Sequence, residues 1–107
     1  MKLDTVIKEL SLTLCAGEAP EEFDGVYAGD LLSRAMSRVT EGDLWITIMS
    51  NVNVVAVASL TEAAAVILAE GVRMTDEVLR AAREKEVCIL SSDMTVFELC
   101  EAISKIG

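Results

Sequence analysis

Leu44-Trp-Ile-Thr-Ile-Met49, Val52-Asn-Val-Val-Ala-Val-Ala-Ser-Leu60 and Ala64-Ala-Val-Ile-Leu-Ala69 lie in succession at the centre of the chain, and their reading decides the fold. The first is apolar, β-branched and closed by the polar pair Ser50-Asn51, which predicts a buried strand. The third is a continuous apolar run ending at Glu70-Gly71, and it predicts another. The middle run is ambiguous by composition, because valine favours strands while repeated alanine suits a buried helix. A helix is the consistent reading, since two parallel strands need a crossover between them.

The same alternation extends outward. Leu3, Val6, Ile7 and Leu10 fall on one helical face, with Asp4 near the helix start. Leu12 to Ala16 alternates at strand period and stops at Gly17. The acidic stretch Glu18 to Glu22 holds the only proline and reads as a solvated loop. A short extended piece, Val26-Tyr-Ala28, precedes a helical pattern carrying Leu31, Leu32, Ala35, Met36 and Val39, and Gly42-Asp43 marks a turn. Thr75 is placed to cap a helix whose first turn holds Asp76 and Glu77. Val87 to Leu90 reads as a strand. Thr95-Val-Phe-Glu98 has the form of a capping box, with Met94 and Leu99 as its staple, opening a helix through Phe97, Cys100, Ala102, Ile103 and Ile106. Strands alternating with helices predict an α/β fold: one small domain over 1–107, with a largely parallel sheet of about four strands flanked by helices.

Composition narrows the function. The 107 residues allow one compact domain. Hydrophobic residues make up 52% of the chain and aromatic residues 4%, so aliphatic side chains must build the core. That apolar content, with a positive mean hydropathy, exceeds what one small core easily hides and predicts a homodimer. Eighteen acidic against nine basic residues give a net charge of -9, which repels nucleic acids and anionic membranes. The amino-terminal residues lack the apolar run of a signal peptide, and no stretch approaches the ~20 apolar residues of a bilayer span. A cytoplasmic location is the expectation.

Catalytic patterns are missing. The chain has no histidine, so a nucleophilic serine or cysteine lacks its usual base. There is no P-loop, and Gly17, Gly25 and Gly29 do not fit a dinucleotide-binding glycine pattern. Glu21-Glu22 and Asp76-Glu77 read as solvated or dipole-stabilising acids. Cys15, Cys88 and Cys100 are widely spaced and form no zinc motif. Cys88 and Cys100 read as small core residues, whereas Cys15, beside Ala16-Gly17, is the one thiol reachable for redox chemistry. Trp45 reads as core or dimer-interface material, although it and Tyr27 could stack on a ligand. No cofactor is implied.

Ligands of open α/β sheets favour the crevice beyond the carboxyl ends of the strands. The polar residues there are Gly29 and Asp30, then Ser50, Asn51 and Asn53, then Ser91, Ser92 and Asp93. These offer hydroxyls, amides, carboxylates and helix N-termini suited to a small polar ligand. The same residue types are also what helix caps require.

Gly29-Asp-Leu-Leu-Ser33, Gly42-Asp-Leu-Trp-Ile-Thr47, Val55-Ala-Val-Ala-Ser-Leu60 and Thr95-Val-Phe-Glu-Leu99 together resemble a DRTGG domain, from about Leu3 to Gly107. The namesake pentapeptide is absent, with Phe23-Asp24-Gly25 its nearest counterpart. The resemblance implies a fold similar to the N-terminal domain of HPr kinase/phosphorylase, outside that enzyme's catalytic part. It carries over no catalytic residues, and it implies a noncatalytic regulatory or dimerisation module that senses a small ligand or docks on a partner enzyme. The alternatives are a small enzyme or phosphotransfer accessory using the polar rim, and a redox-linked partner of an electron-transfer enzyme for which Cys15 is the handle.

Overall fold

The computed structural model describes residues 1–106. Ten elements follow in the order α1 (Leu3–Glu9), β1 (Thr13–Ala16), β2 (Val26–Ala28), α2 (Leu32–Arg38), β3 (Leu44–Thr47), α3 (Val52–Thr61), β4 (Ala65–Leu68), α4 (Asp76–Glu84), β5 (Ile89–Ser91) and α5 (Val96–Ile106). The central crossover is a helix, as the β-α-β argument required, and it runs one residue past Leu60.

The sheet has five strands in the order β1-β5-β4-β3-β2. Strands β2 to β5 are mutually parallel, and β1 joins β5 antiparallel with a bulge between Leu14 and Ala16. The expectation of about four strands is therefore one short. Val26–Ala28 is only three residues long, and it becomes a strand by pairing with β3 in the register Val26 with Leu44 and Ala28 with Ile46. Long-range pairing of this kind is not visible in local pattern.

The strands β2, β3, β4 and β5 step across the sheet in one direction, so crossovers of a single hand deposit α2, α3 and α4 on one face. There Ala35, Val39, Val54, Val55, Ala58 and Ala82 pack on Trp45, Val66, Leu68 and Ile89. The opposite face carries only α1 and α5, whose Leu3, Val6, Leu99 and Ile103 cover Leu44, Ile46, Ile67 and Leu90.

Several local devices read from sequence operate as expected. Thr75 Oγ1 accepts from Val78 N at 3.3 Å. In the capping box, Thr95 Oγ1 accepts from Glu98 N at 3.1 Å and Glu98 Oε1 accepts from Thr95 N at 2.9 Å. Gly17, with φ +74°, lets the chain leave β1 against β5, where a Cβ would lie 2.5 Å from the Val87 carbonyl oxygen. The expected strand Leu44–Met49 stops at Thr47. Its next two donors are diverted, Ile48 N to the Asp30 carboxylate at 3.0 Å and Met49 N to Thr47 Oγ1 at 3.1 Å.

Candidate functional site

The carboxyl ends of β2, β3, β4 and β5 lie along one edge of the sheet, and the sequence-predicted residues are distributed along it. Gly29 and Asp30 follow β2 and meet the end of β3. The Gly29 carbonyl accepts from Trp45 Nε1 at 3.0 Å, and Asp30 Oδ1 accepts from Thr47 Oγ1 at 2.8 Å. Trp45 is fully buried, which makes it a core residue and removes it from any surface. Asn51 caps α3, its Oδ1 accepting from Asn53 N at 2.9 Å. Ser92 Oγ accepts from Met94 N at 3.0 Å and shapes the turn into α5. Ser91 is the last residue of β5 and is buried, its hydroxyl oxygen accepting from Cys15 Sγ at 3.3 Å.

Four of the eight residues thus have side chains committed to the fold. The side chains of Ser50, Asn53 and Asp93 make no hydrogen bond within the described residues. Asn53 and Asp93 are exposed and Ser50 is half-buried. The sheet order separates them. β4 lies between β3 and β5, so the loops carrying Ser50 and Asn53 and carrying Asp93 leave strands that are two spacings, about 10 Å, apart.

Glu70, absent from the sequence reading, lies between these two groups. It follows β4 in the left-handed region, with φ +59°, and its N–H donates to the Met94 carbonyl at 2.8 Å. Gly71 N donates to the Ser92 carbonyl at 2.9 Å, so the loops after β4 and β5 are stitched together. Thr47 was missed too. It is fully buried and polar, and its position at the end of an apolar strand was the available signal.

The chain topology marks one point on this edge. α4 leaves the end of β4 toward one face, and α5 leaves the neighbouring β5 toward the other. Ligands of open α/β sheets bind where neighbouring strands send their connections to opposite faces. Glu70, Gly71, Ser92 and Asp93 flank that point.

The thiols differ in setting. Cys88 is buried beneath α1 and α5, and burial, reinforced by the Cys15 thiol, pushes its pKa from 9.0 to about 11. Cys100 is half-buried, and desolvation raises its pKa as well. Cys15 is half-buried at the β1 bulge. Among the described residues no cluster of three or more acidic or cysteine side chains is arranged to hold a metal ion. No helix among them is long and apolar enough to cross a membrane.

Comparison with known proteins places this architecture. The sequence profile of the DRTGG domain matches residues 7–106. The chain belongs to the DRTGG domain family. Among solved structures, this DRTGG domain is similar to the CBS and DRTGG domains of the regulatory region of Clostridium perfringens pyrophosphatase, crystallised with the activator diadenosine tetraphosphate. The TM-score is 0.75 at 16% identity, with 95% of this chain covered. The match spans 45% of that chain, so this DRTGG domain corresponds to less than half of it. No curated protein matches in sequence.

Proposed function

We propose that this DRTGG domain, one domain over 1–107, is a noncatalytic cytoplasmic regulatory module. It forms a homodimer, senses a small polar ligand at the carboxyl edge of its sheet and passes that signal to a partner enzyme. One observation carries the ligand reading. The point where α4 and α5 part to opposite faces coincides with Asp93, whose side chain has no hydrogen-bond partner among the described residues. Ser50 and Asn53 offer a second contact beyond β4, and the remaining rim residues Gly29, Asp30, Asn51, Ser91 and Ser92 hold the loops in place. The acids Asp30, Glu70 and Asp93 disfavour a highly charged anion and favour a ligand that presents hydrogen-bond donors.

The regulatory reading is supported by family membership and by the similar pyrophosphatase region, which takes a dinucleotide activator. That region guides the choice of probes: adenosine, which carries no phosphate and is the expected binder, and diadenosine tetraphosphate, whose charge the acidic rim is expected to disfavour. Calorimetry with each, beside thermal melts, is the test. Asp93→Ala and Asn53→Ala are expected to weaken binding and leave the melting temperature in place. Asn51→Ala is expected to lower stability by about 0.5–2 kcal/mol as a lost cap. Unchanged affinity in Asp93→Ala and Asn53→Ala overturns the rim as a ligand site. Light scattering over a dilution series tests the dimer, and a monomer throughout the micromolar range excludes it.

A further inference from the structure

α3 is apolar on both sides and covered on one. Its ten residues, Val52–Thr61, include no charged side chain, and valine, alanine and leucine occur all round the helix. A helix that is apolar all round belongs in an interior. Val54, Val55, Val57 and Ala58 are buried in the core that lies on the sheet. Val52, Ala56 and Leu60, four residues apart, share the opposite side. There Val52 is 52% exposed and Leu60 71%. Met36, on the neighbouring α2, adds to the uncovered apolar surface and is 43% exposed.

Charge favours a second copy as the occupant and selects its orientation. A chain of net charge -9 can meet itself only where acids are absent from the centre of contact, and the outer side of α3 meets that condition. α3 packs between α2 and α4. On one flank, α2 carries Arg34 and Arg38 and no acid. On the other, the groove between α3 and α4 is lined by Val52, Glu77, Arg80 and Glu84, two acids to one base. These charged residues are exposed, and among the described residues none is held in an ion pair. Two copies packed face to face have their two-fold axis in the plane of the helical layer. An axis across the helices sets α2 on α2 of the mate, arginine against arginine. An axis along α3 sets α2 of each copy over α4 of the other, and only this arrangement brings the arginines to Glu77 and Glu84, twice over.

We propose that two copies of the chain pair through the outer side of α3, about a two-fold axis running along that helix. Met36, Val52, Ala56 and Leu60 form the apolar centre, and α2 of each copy lies over α4 of the other. The interface rests on the homodimer reading, to which it assigns a face, and does not depend on a ligand at the rim.

Sedimentation equilibrium of the full chain measures the dimer dissociation constant, with circular dichroism as the check on folding. Leu60→Lys, at an exposed position, is expected to raise that constant about tenfold and leave the spectrum unchanged. Glu77→Lys combined with Glu84→Lys is expected to raise it by a similar factor, about tenfold, by setting lysine against Arg34 and Arg38. Adding Arg34→Glu and Arg38→Glu to that variant is expected to restore the parent value, which a merely structural role for these side chains would not do. A parent chain that stays monomeric throughout the micromolar range overturns the homodimer reading and this interface with it. A dimeric parent whose constant is unmoved by Leu60→Lys overturns the α3 interface alone. No weakening by the two lysines, or no recovery in the fourfold variant, overturns the axis along α3.

Discussion

Asp30 and Thr47 are locked together across the ends of β2 and β3, with Asp30 Oδ1 2.8 Å from the Thr47 hydroxyl and also 3.0 Å from Ile48 N. Thr47 is fully buried, and the carboxylate is the acceptor for its hydroxyl. Asp30→Ala is expected to lower stability by about 1–3 kcal/mol in urea denaturation, because one charged acceptor serves two donors. Asp30→Asn keeps an acceptor oxygen and is expected to lose less. If Asp30→Ala melts like the parent chain, the carboxylate is not the clasp that ends β3.

Three helices end in the same unusual way. After α1, α3 and α4, paired backbone bonds of the Schellman type close the last turn: Leu12 N to Ile7 O, Ala63 N to Ala58 O and Val87 N to Ala82 O. The residue in the left-handed position is Ser11, Glu62 or Glu86, with φ between 54° and 58°, where glycine is normally favoured. Glu62 and Glu86 also place a carboxylate at the negative end of a helix dipole. Glu62→Gly and Glu86→Gly are each expected to stabilise the domain by about 1 kcal/mol, read as a higher urea midpoint at unchanged slope. Destabilisation by either change would show that the glutamate side chain contributes an interaction that outweighs its backbone strain.

Those endings also explain what the sequence hid. Helix starts were legible because Thr75, Asn51 and the Thr95–Glu98 pair are chemically distinctive. Helix stops were not, since nothing in Glu62 or Glu86 announces a left-handed residue. The central β-α-β unit was readable from Leu44 to Ala69 because buried strands and a buried helix differ in length and in what connects them. β2 was readable only as an extended piece at Val26–Ala28, and its place as a fifth strand was not, since its pairing with β3 is long-range. At the rim, residue types identified the correct loops but could not assign roles. The side chains of Asp30, Asn51 and Ser92 are bonded within the fold, while those of Asp93 and Asn53 have no hydrogen-bond partner among the described residues, and only three-dimensional placement separates them.

The Thr95–Glu98 box closes the first turn of α5, the helix that supplies Leu99 and Ile103 to the core. Thr95→Ala is expected to lose about 1 kcal/mol, and Glu98→Ala somewhat less, because each leaves one backbone N–H without its side-chain acceptor. The two bonds are reciprocal, so the double variant is expected to lose less than the two single losses added together. Strict additivity in a double-mutant cycle would mean that the two bonds act independently.

Cys88 couples the stability of the fold to alkaline pH. Burial holds the thiol protonated in the folded chain up to about pH 11, whereas its ordinary pKa is 9.0. Above pH 9 the unfolded chain therefore releases a proton that the folded chain retains, so ionisation favours the unfolded state. The thiol's contribution is fully present below pH 9 and declines progressively toward pH 11. Other groups titrate in the same window, and a Cys88→Ala variant removes only this one. The difference in stability between the parent chain and Cys88→Ala, measured by urea denaturation from pH 8 to pH 11, is expected to shrink as the pH rises. The parent chain should lose stability faster than the variant across that range. Parallel curves would show that Cys88 ionises alike in both states, contrary to its burial beneath α1 and α5.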